Sequence, residues 1–381
     1  MKHNVEDNLI IVCGTLCNYD LIITDILIRY GFNCVAVRYP QSNVNGMEMV
    51  GSKNLSQVSA PLNNVTKSEI VIVDSGWQFY KIASKAKLII SITGSVSGYF
   101  GKFWFLTPFL PLPPTVFLST GSDLGWLILQ KTIHGKIYKH LLSKAKKCLY
   151  FPYPVLMENI QKMSVINASI INFPYLVLHE KEIDFHYDSP ITFLHATSLS
   201  WSDAYASKGS DRFIRAFIRV AQKGADIRCI ILDRGPQKEE ARQIIENSDQ
   251  ADKFEWRQPT SQAGLVEYIK DADIVADQFD IGGFGASAME AMALGRPVLI
   301  FIDKDFQNLV YNQDLPVLNC HTEDEIQAAI LSMLNRKDIH HLGKEARDWV
   351  YKNHSVATAN FDKLVLEVCL AAGIKWPLNK K

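Results

Sequence analysis

The chain has 381 residues, 40 basic and 40 acidic, with 48% hydrophobic and 21% charged side chains. That composition excludes a disordered chain, a collagen-like repeat and a disulfide-stapled miniprotein. Its formal net charge of zero argues against a broad nucleic-acid-binding surface. Along the chain, short apolar runs alternate with helical patterns, the pattern of parallel α/β sheets. In the first half, strands are predicted near Asn8–Cys13, Asn33–Val37, Ile70–Asp74, Leu88–Ile92, Thr115–Leu118 and Lys147–Tyr150. Helices are predicted near Cys17–Tyr30, Trp77–Lys85, Leu124–Leu142 and Tyr153–Met163. Asn172–Pro190, bounded by Pro174 and Pro190, reads as a linker.

A second series opens at Ile191–His195, with strands near Ile227–Leu232, Lys253–Trp256, Ile274–Ala276, Pro297–Ile302 and Leu315–Leu318. Helices start near Lys208, Gln237, Gln262, Ala286 and Thr322. The expectation is two facing Rossmann-like, doubly wound domains, over residues 1–175 and 190–354, with function in the cleft between them. A last helix near Val356–Ala372, in a 355–381 tail, is expected to pack back on the first domain. The neutral total hides a split: residues 1–175 carry about +7 and residues 176–381 about −7.

Seven cysteines without a C-x-x-C pair suit a reducing, cytoplasmic setting with buried thiols. The start, MKHNVEDNLI, lacks the apolar core of a signal peptide. The most apolar stretch, Phe103–Leu118, contains Pro108, Pro111, Pro113 and Pro114, which forbid a continuous spanning helix. Its aromatic part, Phe100–Leu110, leaves two readings open. With Lys131, Lys136, Lys139, Lys144, Lys146 and Lys147 it suggests contact with an anionic membrane face. Alternatively it is a buried loop beside a solvated basic helix.

The most informative stretch runs from Asp277 to Val298: a buried strand, the glycine-rich turn Gly282-Gly283-Phe284-Gly285, a short helix from Ala286, then Gly295 and Pro297. Glycines allow backbone amides to approach a ligand, and a helix N-terminus offers unpaired donors and a positive dipole end. Glu290 lies one turn into that helix, tilted back toward its start. A diphosphate over the turn and a ribose near Glu290 fit this pattern. A capped glycine turn fits it equally.

Gly283-Phe284-Gly285, Glu290 and the tail Ala291-Met292-Ala293-Leu294-Gly295-Arg296-Pro297-Val298 resemble the GT-B glycosyltransferases, specifically the retaining family numbered four. The resemblance covers roughly residues 190–350; the first domain resembles the family only in architecture. It implies a nucleotide-diphosphate sugar as donor substrate and a glycan or lipid-linked acceptor hydroxyl. It implies no metal, and a place in the synthesis of bacterial-type surface polysaccharide or glycoconjugate. Lys208-Gly209 matches the family's Lys-Gly pair, whose lysine reaches the donor diphosphate. Ser198 and Ser200, in the preceding loop, are candidate phosphate donors.

Two departures stand out. The family's first Glu falls on Gly282, and the family's loop arginine is absent. Asp280 is the candidate to orient the sugar in place of that Glu, and Arg234 or Arg257 to supply the second positive charge. In the first domain, Thr120-Gly121-Ser122-Asp123 reads as a helix cap; Asp123 is also a candidate to contact the acceptor hydroxyl. Asp271-Ala272-Asp273 matches a D-x-D metal motif only trivially. Gly282 leaves an alternative, a non-catalytic subunit of the same fold that binds a glycan or partner. A sugar-nucleotide epimerase of similar build is a further rival.

Overall fold

The computed structural model describes residues 8–14, 19–39, 70–125, 127–163, 165, 167–171, 190–202, 207–260, 262–356 and 358–375. The chain divides into two compact units, Met1–Leu178 with Ala359–Lys381, and His179–Thr358. All but the last residue of the stretch read as a linker lies outside the described residues.

The first unit contains β1 (Ile10–Cys13), α1 (Tyr19–Arg29), β2 (Cys34–Arg38), β3 (Ile70–Ile72), α2 (Gly76–Ala83), β4 (Leu88–Ile92) and β5 (Thr115–Ser119). It continues with α3 (Ser122–Gly125), α4 (Ile133–Lys144), β6 (Lys147–Tyr150), α5 (Pro154–Lys162) and β7 (Ala168–Ile170). Its strands pair in the order β3-β2-β1-β4-β5-β6-β7, all parallel. β1 and β4 are buried along their whole length, as expected for strands covered on both faces.

The second unit contains β8 (Ile191–His195), α6 (Ser210–Gln222), β9 (Ile227–Leu232), α7 (Lys238–Glu246), β10 (Phe254–Arg257), α8 (Gln262–Lys270) and β11 (Ile274–Ala276). Then follow α9 (Ala286–Ala293), β12 (Val298–Ile300), α10 (Lys304–Val310), β13 (Leu318–Asn319), α11 (Glu323–Ser332) and α12 (Arg336–Asn353). The order is β10-β9-β8-β11-β12-β13, again all parallel. α13 (Asp362–Ala372) belongs to the first unit. There Asp362 accepts from the Tyr30 hydroxyl (2.7 Å) and Glu367 pairs with Lys147 (2.9 Å).

Both sheets therefore run third-second-first-fourth, so strand order reverses beside the first strand of each. In doubly wound sheets that reversal opens a crevice at the carboxyl ends of the strands. Two elements depart from expectation. The single helix predicted over Leu124–Leu142 is broken into α3, a 3₁₀ turn at Leu127–Leu129, and α4. The Thr132 hydroxyl accepts from Gly135 N (3.2 Å), starting a new helix. Gly135 itself packs against the Leu127 carbonyl, 3.0 Å from where a Cβ would stand. The apolar 95–109 stretch forms 3₁₀ turns kinked at Gly101 (φ +52°).

Candidate functional site

The site is built at the strand-order reversal of the second unit, where β8, β9 and β11 end side by side. At the end of β8, His195 is fully buried. Its Nδ1 lies 3.1 Å from the Ala276 carbonyl, which can only accept, so Nδ1 carries the proton. Nε2 then accepts from the Ser210 hydroxyl at 3.0 Å. Burial pushes the imidazole down to about 4, keeping it a neutral strut between β8, β11 and the start of α6.

Lys208 is pinned through its main chain on both sides. Its amide donates to the Ser200 carbonyl (2.7 Å), and its carbonyl accepts from Phe279 N (2.7 Å). The loops after β8 and β11 are thereby tied together. Gly209 follows in the left-handed region (φ +63°), and a Cβ there would collide with the Arg212 guanidinium. The left-handed backbone favours glycine, which gives the Lys-Gly pair a physical reason. Burial pulls the Lys208 ammonium below its usual value; Asp277 opposes that shift and Arg234 adds to it.

Arg234 is carried by an equally tight turn after β9. Gly235 (φ +121°) lies against the Leu199 backbone, where no Cβ fits. Leu199 N donates to Arg234 O (2.9 Å), and Gln237 N donates to Leu199 O (3.0 Å). Asp277, directly after β11, is 2% exposed. Its carboxylate accepts from Gly285 N (3.1 Å) and from the Ser287 hydroxyl (2.6 Å). Burial raises its pKa, while Ser287, Lys208, Gly285 and Arg234 all counter the rise.

Asp277 also accounts for Gly285, since a Cβ there would stand 2.5 Å from the carboxylate. Gln278 shapes the turn that follows. Its side-chain oxygen accepts from Asp280 N (3.0 Å) and Ile281 N (2.5 Å). Its side-chain amide nitrogen donates to Gly283 O (2.6 Å) and Phe301 O (3.0 Å). Gly282 (φ +77°) accepts from Asp303 N through its carbonyl (3.1 Å). α9 then starts at Ala286 with first-turn amides that have no acceptor inside the helix. At its other end the Arg347 guanidinium donates to the Ala293 carbonyl. Glu290 is 3% exposed, and burial pushes its carboxyl up to about 8.

Among the sequence-predicted residues, Lys208, Arg234 and Gly282 to Ala286 lie on the loops gathered here. Ser198 and Ser200 lie in the first of these loops, Ser200 buried. Asp280 is engaged by the Arg212 guanidinium and the Ser207 hydroxyl, with His321 Nε2 at 3.8 Å. Arg257 is held instead by Glu255 (2.6 Å) and Asp271 (2.6 Å), with its guanidinium over the Tyr268 ring. Phe284 packs among Tyr311, Trp349 and His354, anchoring the turn to α12. Asp273 accepts from Thr192 N (2.9 Å). Asp123 is the second residue of α3 in the first unit.

Sequence reasoning missed Asp277, Gln278 and Arg212. Asp277 left a faint signal, a lone carboxylate closing an apolar strand eight residues before a glycine. Arg212 and Gln278 left none, because their partners are set by the tertiary approach of separate loops.

Residues 196–351 match the family model described as Glycosyl transferases group 1. No curated protein matches the chain. Among solved structures, HepE of Anabaena, in complex with UDP and glucose, aligns with a TM-score of 0.62 at 11% identity, covering 94% of this chain and 98% of that one. Sucrose-phosphate synthase from Thermosynechococcus elongatus aligns at 0.59 and 11% identity, covering 95% and 97%. TarM of S. aureus, in complex with Fondaparinux, alpha-GlcNAc-glycerol and UDP, aligns at 0.56 and 15% identity, covering 78% of this chain; the chain spans 58% of TarM. These alignments establish a shared fold. Residues 196–351, most of the second unit, thus match the Glycosyl transferases group 1 model, and the chain as a whole shares the GT-B fold of these structures.

Proposed function

We propose that the chain transfers a sugar from a UDP-sugar to a hydroxyl of a glycan or lipid-linked glycan. The reaction retains anomeric configuration and serves surface polysaccharide or glycoconjugate synthesis at the inner face of a cell membrane. One observation carries this reading. Lys208, Arg234 and the start of α9 meet around the buried Asp277 at the strand-order reversal. Lys208, Arg234 and a helix N-terminus gathered at one place suit a diphosphate. UDP is favoured over GDP because HepE and TarM both carry UDP in their complexes.

In this reading Lys208, Arg234, Ser198, Ser200 and the Gly283, Phe284 and Ala286 amides stabilise the negative charge that grows on the departing diphosphate, while Gly285 N stays with Asp277. That diphosphate takes the proton of the attacking hydroxyl from the same face of the sugar. Glu290 accepts from the ribose hydroxyls, and Asp280, braced by Arg212, orients the sugar. The second positive charge is assigned to Arg234, which acts on both Lys208 and Asp277, whereas Arg257 is held by Glu255 and Asp271. In the first unit, Asp123 is assigned to the acceptor hydroxyl.

A thermal-unfolding panel of UDP, GDP, CDP and ADP tests the donor site. At about a hundredfold excess over Kd, a ligand binding only the folded state adds about 2.7 kcal/mol. UDP should raise the transition clearly, and Lys208→Ala should abolish the rise. No shift with any nucleotide would remove the reading. The missing side chain at Gly282 favours a second one, a subunit that binds nucleotide without transfer. UDP binding with no sugar release to water or any acceptor would select it.

A further inference from the structure

The 3₁₀ run over 95–109 packs between α2 and α4. Phe79 of α2 stacks on Tyr99 (4.4 Å) and meets Phe100 edge-on (5.7 Å). Gly76 lies against the same backbone, 3.0 Å from a built Cβ to the Tyr99 carbonyl. On the other side, Trp104 contacts His134 of α4 at 4.8 Å. The kink at Gly101 (φ +52°) lies between Tyr99 and Phe100, packed on α2, and a more exposed stretch that Trp104 ties to α4. Beyond the kink, Phe103, Phe105 and Leu106 are 53%, 45% and 41% exposed, and Phe109 is 82% exposed. Trp77 of α2 and Ile133 of α4 extend the apolar surface at 63% and 69%.

Charge indicates what covers it. Residues 75–157 contain ten lysines and one acidic residue, Asp123. Lys81, Lys131 and Lys136 are exposed beside the apolar side chains, and the Lys81 ammonium sits over the Trp77 ring (5.5 Å). Exposed aromatics rimmed by lysines suit a bilayer interface, where rings enter the headgroup region and ammonium groups meet lipid phosphates. A protein partner buried on this face would have to supply the missing carboxylates.

We propose that the face formed by α2, the 95–109 run and the start of α4 docks on an anionic lipid bilayer. This assigns a surface to the membrane location proposed above and is separate from nucleotide binding by the second unit. A failed membrane test therefore leaves the UDP result standing, and the reverse holds too.

Co-sedimentation of the full chain with vesicles of phosphatidylcholine, alone or with about one-third phosphatidylglycerol, tests the proposal. The expected result is binding to the phosphatidylglycerol vesicles, reversed by high salt. The pair Phe103→Ser and Phe109→Ser should lower the bound fraction about tenfold or more. Lys131→Glu with Lys136→Glu should do the same. The control pair Leu331→Ser and Leu334→Ser, on exposed leucines of the second unit, should bind as the parent does. All these positions are exposed, and unchanged UDP binding and melting would show that the variants fold. Equal sedimentation with both vesicle types, or undiminished binding by the phenylalanine variant, overturns the proposal. So does a lipid-free dimer that the phenylalanine variant dissociates, which would make the face a contact between two copies.

Discussion

Glu290 shows how one residue couples the site to pH. Its folded-state value of about 8 lies above the ordinary 4.5. Between those values the unfolded chain releases the proton while the folded carboxyl keeps it. Stability therefore falls as pH rises through that window, by an amount on the order of several kcal/mol. Glu290→Gln should flatten this decline, read by denaturant melts at pH 5 and pH 8. If the ionised Glu290 carboxylate accepts from both ribose hydroxyls, UDP binding expels its proton. Affinity should then rise from pH 6 to 8, with proton release measurable by calorimetry in buffers of different ionisation enthalpy. A pH-independent affinity would rule out an ionised Glu290 as the ribose acceptor. Gly235 makes the complementary point about backbone. With φ +121° and the Leu199 backbone in the way, Gly235→Ala should cost about 2–4 kcal/mol and displace Arg234. Urea titration and UDP binding would both report it.

At the scale of elements, α9 is held by opposite charges at its two ends. Asp277 binds the Gly285 amide and the Ser287 hydroxyl at the N-terminus, and Arg347 binds the Ala293 carbonyl at the C-terminus. Both pairings follow the helix dipole. Ser287→Ala removes a hydrogen bond to a buried carboxylate and should cost about 1.5–3 kcal/mol. Its melting curve should shift further at neutral pH than in acid, where the raised carboxyl takes up its proton and relies less on that bond. Equal shifts across the range would mean that Asp277 keeps one protonation state throughout. The existence of α9 was legible beforehand from Ala286 to Gly295. Its caps were not, since Arg347 lies 54 residues away from Ala293. The opposite failure occurred at Leu124–Leu142, where apolar periodicity continued through a break that Thr132 and the packing of Gly135 impose.

At the scale of the molecule, each unit has its own parallel sheet and its own core. Buried clusters centre on Phe193, Phe213, Phe217 and Phe279 in one unit, and on Ile11, Val37, Phe79 and Ile89 in the other. Scanning calorimetry should resolve two transitions. UDP should raise only the one belonging to the second unit, by about 2–4 °C per kcal/mol for a domain of this size. A single transition moved as a whole would show that the units unfold together. The first unit is completed by α13, which returns to it after the whole second unit through Tyr30–Asp362 and Lys147–Glu367. Truncation before Asp362 should therefore lower the first unit's transition and leave UDP binding intact.

Strand positions were readable because parallel strands buried on both faces are nearly continuous apolar runs; β4, β6, β8, β9 and β11 have the predicted limits. The glycine turn was readable from its composition and Lys208-Gly209 from the family resemblance; the positive φ of Gly282 and Gly209 supplies the physical reason for those glycines. Strand order, the tight turn carrying Arg234, the Asp277 carboxylate under the α9 start and the Arg212 grip on Asp280 were decided by the tertiary structure. Strand order, the Arg234 turn and the Arg212 grip depend on segments far apart in the chain coming within hydrogen-bonding distance, and Asp277 meets Gly285, eight residues on, only through a turn whose shape local pattern does not record.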